Sequence, residues 1–421
     1  MYKSNYYSVQ AADSLSGIIA NLVRYGSGFR NFCFFNSNEN SSQYRFIAAL
    51  SRTDNLLALD EIGKEAHWTF GYLAYELKNK IENLQSKNEG SLNFQTSFFF
   101  IPDIIISFDK LELSIHYHEN SIKEEEIEAL YKALVAEEKT APQNGSAVQV
   151  KQRVSHSEYI ANVNSIKGHI QRGDVYELNY CMEFYADNAG VDPATLYLNL
   201  NAISEAPFSS YAKFGNSYVI GSSPERFLEK QGNKLITQPI KGTAKRSSNY
   251  EEDELIKKEL KESIKEKTEN VMIVDVARND LSRIAEKGTV KVDELYGIYT
   301  FRQVHQMIST ISCTVKKEFG FADIIRATFP MASMTGAPKI RAMELIDQFE
   351  NSKRGLYSGS LGYVTPEGDF DLNVVIRTIF FDSEKKYLSF SVGSAITSLS
   401  DPEKEYEECL LKAKAMMQVL G

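Results

Sequence analysis

The sequence predicts an α+β protein in which large, mainly antiparallel sheets are flanked by helices. Strand-like runs follow one another in hairpin succession, several joined by Gly-rich or Asn-Gly turns, and helical stretches fall between them. The 421 residues are 43% hydrophobic, 24% charged and 11% aromatic, which is a folded composition with ample material for a core.

In the amino-terminal part, "RNFCFFN", "YRFIAAL", "TSFFFIP" and "KLELSIHYH" are β-rich, while "IKEEEIEALYKALVAEE" has helical periodicity. The stretch "KTAPQNGSAVQ" at 139–149 is poor in bulky apolar residues and rich in turn formers. A linker is therefore expected over 139–150, between an amino-terminal region 1–138 and a larger region 151–421. Beyond it, "HSEYIANVNSIKGHIQRGD" has helical spacing up to Gly173-Asp174, and "VYELNYCMEFYA" alternates like a strand. Further strands are expected in "SSYAKFGNSYVIGSS", "RFLEKQGNKLITQP", "GTVKVDELYGIYT", "QVHQMISTISCTV", "YSGSLGYVTPEGDFDLNVVIRTIFFD" and "KKYLSFSVGSAI", with helices over 250–272, 338–350 and 402–419.

A net charge of -9 argues against a broad nucleic-acid surface, because phosphate neutralisation needs clustered Lys and Arg. The start "MYKSNYYSVQ" lacks a signal-peptide pattern. The most apolar stretch, "SFFFIPDIIISF", is broken by Pro102 and Asp103 and is too short to span a bilayer. No membrane association is expected, and the cytoplasm is the simplest location. Cys33, Cys181, Cys313 and Cys409 lie far apart without CxxC spacing, which suits reduced, buried thiols. None sits in a Gly-x-Cys-x-Gly elbow, and the six histidines form no metal-binding pattern.

Two acidic helices carry the first chemical signal. Glu266 and Glu269 are three residues apart, as are Glu405 and Glu408, so each pair shares a helix face. Such a pair is ordinarily a solvated charge run. Here both adjoin apolar turns, where carboxylates brought together would repel unless a cation joined them, and oxygen-only ligands point to Mg²⁺. The turns "SVGSAITS" and "MASMTGAPK" offer backbone N–H groups to an anion, or are plain turns. Arg377 stands in the otherwise apolar run "NVVIRTIFF", and its partner is either a protein carboxylate or a substrate carboxylate. Glu225, in "GSSPERFLEK", precedes Lys241, in "LITQPIKGTAKR". Paired strands would present them to one pocket as acid and nucleophile, and a surface salt bridge is the alternative. His305 is either an acid–base group or a satisfied histidine.

Taken together, "PIKGTAKR", "ENVMIVDVARNDLSRIAEKGTVKV", "FPMASMTGAPKIRAMELID", "YSGSLGYVTPEGDFDLNVVIRT" and "EYEECLLKAKAM" closely resemble the chorismate-utilising enzymes, the family of anthranilate synthase component I, over about residues 155–420. The resemblance implies a chorismate-binding fold with the active site in a cleft between two large sheets. Glu269 and Glu408 match direct Mg²⁺ ligands, with Glu266 and Glu405 in the supporting acidic shell, and the metal would hold the ring carboxylate. Arg377 and Tyr357 match the grip on the enolpyruvyl carboxylate, assisted by backbone N–H groups around Gly393 and Ser394. Gly242, Thr243, Ser333 and Lys412 fall at other substrate-contacting positions.

Within the family, the residue between "PI" and "GT" separates the branches. "PIAGT" resembles anthranilate synthases, whereas "PIKGT", with Lys241, resembles the aminodeoxychorismate branch. The implied chemistry is attack of Lys241 on C2 of chorismate as the C4 hydroxyl leaves with a proton from Glu225, followed by ammonia addition at C4 and expulsion of the lysine. Burial and neighbouring cations would hold the Lys241 pKa well below its usual value. The implied product feeds 4-aminobenzoate and folate synthesis, with ammonia from a separate glutamine amidotransferase subunit. The alternatives are anthranilate synthesis and a non-catalytic binding or regulatory relative. The chain departs from the family at "GSAI", where relatives have a Gly-rich turn, and at "GTAKR". It also carries Gln306 where the family has its active-site histidine; His305, one residue earlier, should point to the opposite face of the strand.

Overall fold

The computed structural model describes residues 2–9, 15–38, 43–137, 147–302 and 304–421. The expected linker over 139–150 lies largely outside the described residues; 147–150 carry no helix or strand.

Among the described residues the strands form a twelve-stranded and a ten-stranded sheet, and every pairing is antiparallel. Strands from both ends of the chain are interleaved in each. In the larger sheet Asn31–Asn36 pairs with Phe208–Phe214; in the smaller, Thr69–Leu73 pairs with Ser360–Val364. The regions 1–138 and 151–421 therefore share both sheets.

Strand alternation explains how one sheet serves two cores. Phe32 and Phe34 face one apolar cluster while Cys33 faces the other; Phe46, Ala48 and Leu50 oppose Ile47 and Ala49 in the same way, and Ile104 and Ile106 oppose Ile105. The first cluster is closed by helices including Leu15–Gly26, His156–Arg172 and Pro402–Leu420. The second lies between the sheets and takes in Val274, Ala277 and Leu281 of the helix Ile264–Ser282. A strand apolar on both faces must be covered on both sides, which fixes the layered order.

The hairpin turns follow the sequence reading. Phe208–Phe214 joins Ser217–Ser223, and Arg226–Gln231 joins Lys234–Gln238, through two-residue loops in which Gly215 and Gly232 take φ of +60° and +57°. All four cysteines are free and buried.

The helix expected over 250–272 is two helices, Tyr250–Glu262 and Ile264–Ser282. Ser263 ends the first in an extended conformation and caps the second, its side chain accepting a hydrogen bond from the Glu266 N–H. This break swings the second helix so that Glu266 and Glu269, in its first two turns, look into the cleft described next.

Candidate active site

A cleft of about 1070 Å³ opens where the strand Ile240–Lys245, the strand Tyr387–Ile396 and the starts of Ile264–Ser282 and Pro402–Leu420 converge. Of the residues singled out by sequence, Glu225, Lys241, Gly242, Thr243, Glu266, Glu269, Gln306, Ser333, Tyr357, Arg377, Gly393, Glu405, Glu408 and Lys412 line it. Ser394 does not.

Lys241 owes its direction to a β-bulge. Against Val304–Thr314 the register shifts between Ile240 and Thr243, which leaves one residue extra on the Lys241 strand. Gly242 absorbs the kink at φ +92°, and a Cβ there would sit 3.0 Å from Glu266 Oε2. The glycine following the lysine is thus required by its backbone angle, and a side chain there would also press on Glu266.

Lys241 is 8% exposed, and its amine donates to Glu177 Oε1 at 2.5 Å. This corrects the expectation of a depressed pKa. Burial does push the amine down, but the charges of Glu177 and Glu269 outweigh it, and the ammonium is held above its ordinary range. Glu177 itself was not singled out by sequence; its place in "VYELNY" reads as an ordinary polar position of an alternating strand.

Glu225 sits in the turn ahead of Arg226–Gln231, with its N–H donating to Ser223 Oγ at 3.3 Å. Ser333 Oγ donates to Glu225 Oε1 at 2.6 Å. Burial raises this carboxyl to a pKa of about 7, opposed by the Ser333 hydrogen bond, the Ile240 N–H and the charges of Lys241 and Lys412. A carboxyl that keeps its proton near neutrality is suited to general acid catalysis.

The four remaining glutamates share one wall, but lysines stand among them. Lys265 Nζ lies 3.2 Å from Glu405 Oε1 and 3.9 Å from Glu269 Oε1, while Lys412 pairs with Glu408 at 2.6 Å and donates to the Gly393 carbonyl at 2.8 Å. Among the described residues no three carboxylate, histidine or cysteine side chains group as a metal site. The donor chemistry nevertheless fits a hard cation. Glu269 Oε1 is buried without a hydrogen-bond partner, and burial raises its carboxyl to a pKa of about 7. A buried carboxylate oxygen that receives no hydrogen bond and stands among other carboxylates is what a divalent cation would satisfy.

Arg377 lies in the break between the strands Phe370–Val374 and Thr378–Asp382 rather than within a strand, at φ +52°. Its guanidinium has no ion pair or side-chain hydrogen bond among the described residues, and burial pushes its pKa down. Tyr357, beside it, places its hydroxyl 3.6 Å from Cys181 Sγ. Buried Arg354 shows the contrasting case, paired to Glu350 at 2.6 Å and donating to the carbonyls of Met334 and Asn179.

Strand parity decides the rest. Gly393 and Ala395 face the cleft, and a Cβ at Gly393 would meet Cys181 Sγ at 2.5 Å. Ser394 points its side chain the other way, its hydroxyl 3.0 Å from the Tyr159 hydroxyl in the core, so only its backbone is left to serve the cleft. Gln306 faces the cleft with its Oε1 unpartnered, while His305 turns to the opposite face, against Thr300 Oγ1 at 2.9 Å and Asp253 Oδ1 at 3.0 Å.

A family model described as "chorismate binding enzyme" matches residues 20–418. The chain is 44% identical over 264 residues to an aminodeoxychorismate synthase, chloroplastic, of Arabidopsis thaliana, covering 62% of this chain and 28% of that protein. It is 32% identical to aminodeoxychorismate synthase component 1 of Klebsiella aerogenes, over 83% of this chain and 76% of that one. Anthranilate synthase component 1 of Acetivibrio thermocellus matches at the same 32%, over 83% and 74%. The chain thus spans less than half the length of its plant relatives. The crystal structure of anthranilate synthase component I from Streptococcus pneumoniae superposes with a TM-score of 0.74 at 23% identity, over 99% of this chain and 92% of that one, which establishes the fold. Among the described residues no helix is long and apolar enough to cross a membrane.

Proposed function

The chain belongs to the chorismate-binding enzyme family, and from that premise we propose that it aminates chorismate at C4, yielding 4-amino-4-deoxychorismate for 4-aminobenzoate and folate synthesis. The observation that carries this reading is a lysine amine, Lys241, in the same cleft as Glu225, a carboxyl with a pKa of about 7.

Hydroxide is a poor leaving group, so departure of the C4 hydroxyl needs a proton at its oxygen. Glu225 holds that proton, and Ser333 orients the carboxyl. Lys241 Nζ forms the bond to C2; the ring double bonds shift and the C4–O bond breaks. Ammonia then adds at C4 and the lysine departs. Arg377, without an ion pair among the described residues, is the cation for one substrate carboxylate, with the Gly393 strand alongside. Mg²⁺, held by Glu269 and Glu408 with Glu266 and Glu405 behind them, would supply positive charge for the ring carboxylate. Ammonia would come from a glutamine amidotransferase partner, because these residues contain no Gly-x-Cys-x-Gly nucleophile elbow.

Anthranilate synthesis is the second reading. It needs no amine at position 241, and a buried lysine 2.5 Å from a carboxylate is a large desolvation cost for a group without a role. The deciding experiment incubates the protein with chorismate, Mg²⁺ and an ammonium salt and identifies the product by chromatography. Aminodeoxychorismate, lost on chelation of the metal, is the expected result; anthranilate or isochorismate overturns the reading.

A further inference from the structure

Glu177 has no part in the chemistry above, yet it is the closest polar partner of the reacting amine. It opens the strand Glu177–Ala186, where it pairs with Ala337, and is 1% exposed. Its Oε1 accepts from Lys241 Nζ at 2.5 Å, and its Oε2 is buried without any hydrogen-bond partner. As a purely structural element this pair is poorly built. Removing two charges from water is costly, and the attraction compensates only when the remaining lone pairs are satisfied.

The amine also has a chemical problem. Glu177, Glu269 and Glu225 all face it, and Glu266 and Glu408 lie farther along the same wall, so it rests as an ammonium. An ammonium has no lone pair and cannot attack carbon. Its proton must go to a group already in contact, and among the described residues the only hydrogen-bond acceptor on Nζ is Glu177. The groups facing Glu177 in turn are Lys241 and Glu269.

Building on the reading that Lys241 attacks the ring, we propose that Glu177 is the proton acceptor that converts Lys241 from ammonium to amine, and that returns the proton when the lysine leaves. In the first step the N–H bond of Lys241 breaks and an O–H bond forms on Glu177. The freed lone pair makes the N–C2 bond, and the C4–O electrons leave with the Glu225 proton as water. Ammonia then makes the C4–N bond as the C2–N electrons return to lysine. The new C4 ammonium gives a proton to Glu225, and Glu177 reprotonates Lys241. Both carboxyls and the lysine end as they began, and the net change is chorismate plus ammonia to product plus water.

The two roles open to Glu177 have opposite signatures. A carboxylate that only restrains the ammonium would, once removed, release a buried amine and hasten attack. A carboxylate that takes the proton would, once removed, slow it. The test is a single-turnover reaction of the full chain with chorismate and Mg²⁺ without ammonia, following the lysine adduct by intact mass across pH. Glu177→Gln should slow adduct formation by about a hundredfold or more near neutrality. Its residual rate should climb with pH as Lys241 loses its proton to solvent, and Glu177→Asp should recover part of the rate and restore the wild-type profile. An adduct formed by Glu177→Gln at the wild-type rate or faster overturns the proposal while leaving Lys241 as nucleophile. Should Glu177→Gln not fold, the Glu177→Asp rate decides: an unchanged rate with the shortened side chain overturns the proposal, and a slowed rate on the wild-type pH profile supports it. A wild-type chain that forms no adduct overturns the aminodeoxychorismate reading itself, and this inference with it.

Discussion

Ser333 Oγ donates a 2.6 Å hydrogen bond to Glu225 Oε1, holding down the pKa of a carboxyl that burial has already raised to about 7. The general acid is needed in its protonated form, so kcat/KM should fall as pH rises through about 7. Ser333→Ala removes an influence that lowers the pKa, and the falling limb should move to higher pH with about a tenfold loss of rate from poorer orientation. The raised pKa also carries a stability consequence. The folded chain keeps a proton that the unfolded chain releases near pH 4.5, so this contribution is lost as pH rises from about 4.5 through about 7. A limb that stays put in Ser333→Ala would place the titration on another group.

Lys241→Ala should reduce aminodeoxychorismate formation at least about a hundredfold, leaving only slow direct amination. Removing the amine leaves Glu177 buried without its partner, so Lys241→Met, which fills the space, is the companion variant. Product analysis at saturating ammonium reads the effect. Unimpaired turnover in either variant would return the lysine to a structural role.

Motifs made the cleft legible because they are contiguous: the glutamates on two helices, the lysine before its bulge glycine and the arginine between two strands each sit in a short segment whose chemistry is visible locally. What escaped was relational. Glu177 looks like any polar residue of an alternating strand, and only its approach to Lys241 across 64 positions of sequence reveals it. The core-facing direction of the Ser394 side chain is likewise hidden, because side chains reverse faces at each residue of a strand and a motif position does not fix a direction. The break at Ser263 is hidden inside a continuous charged run that reads as one helix, and the local competition there is won by a serine cap. The Lys241 pKa was misjudged for the same reason as Glu177 was missed, since the counter-charge was out of view.

Ser394→Ala should cost roughly 1 kcal/mol of stability, the usual worth of a buried hydrogen bond, because its hydroxyl sits 3.0 Å from that of Tyr159. The KM for chorismate should not change. Denaturant unfolding and steady-state kinetics on the same preparation separate the two, and a raised KM with unchanged stability would put the side chain back into the cleft.

Mg²⁺ should raise the melting temperature of the wild-type chain in the absence of substrate, by about 2.7 kcal/mol of stabilisation at a hundred times its Kd. Glu269 Oε1, buried and without a hydrogen bond, is the oxygen best placed to gain from the ion. In Glu269→Ala the Mg²⁺-dependent shift in thermal melting should vanish while the protein still folds, since the buried oxygen removed is one that receives no hydrogen bond. A full shift in this variant would move the metal off the acidic wall.

Arg377 and Arg354 are both buried arginines, and they should behave in opposite ways. Arg354 is tied to Glu350 at 2.6 Å and to two backbone carbonyls, so Arg354→Ala leaves a buried carboxylate unpaired and should cost about 3–5 kcal/mol of stability. Arg377 has no ion pair or side-chain hydrogen bond among the described residues, and its guanidinium faces the cleft at the cost of its own desolvation. Arg377→Ala should therefore leave the melting temperature unchanged or slightly raised, while kcat/KM for chorismate falls ~30- to 1000-fold, as expected for losing about 2–4 kcal/mol from a carboxylate contact. Arg377→Lys should not restore it, because an ammonium cannot reproduce two parallel N–H donors. Equal losses of stability in both alanine variants would mean that Arg377 is held by the fold and is not reserved for the substrate.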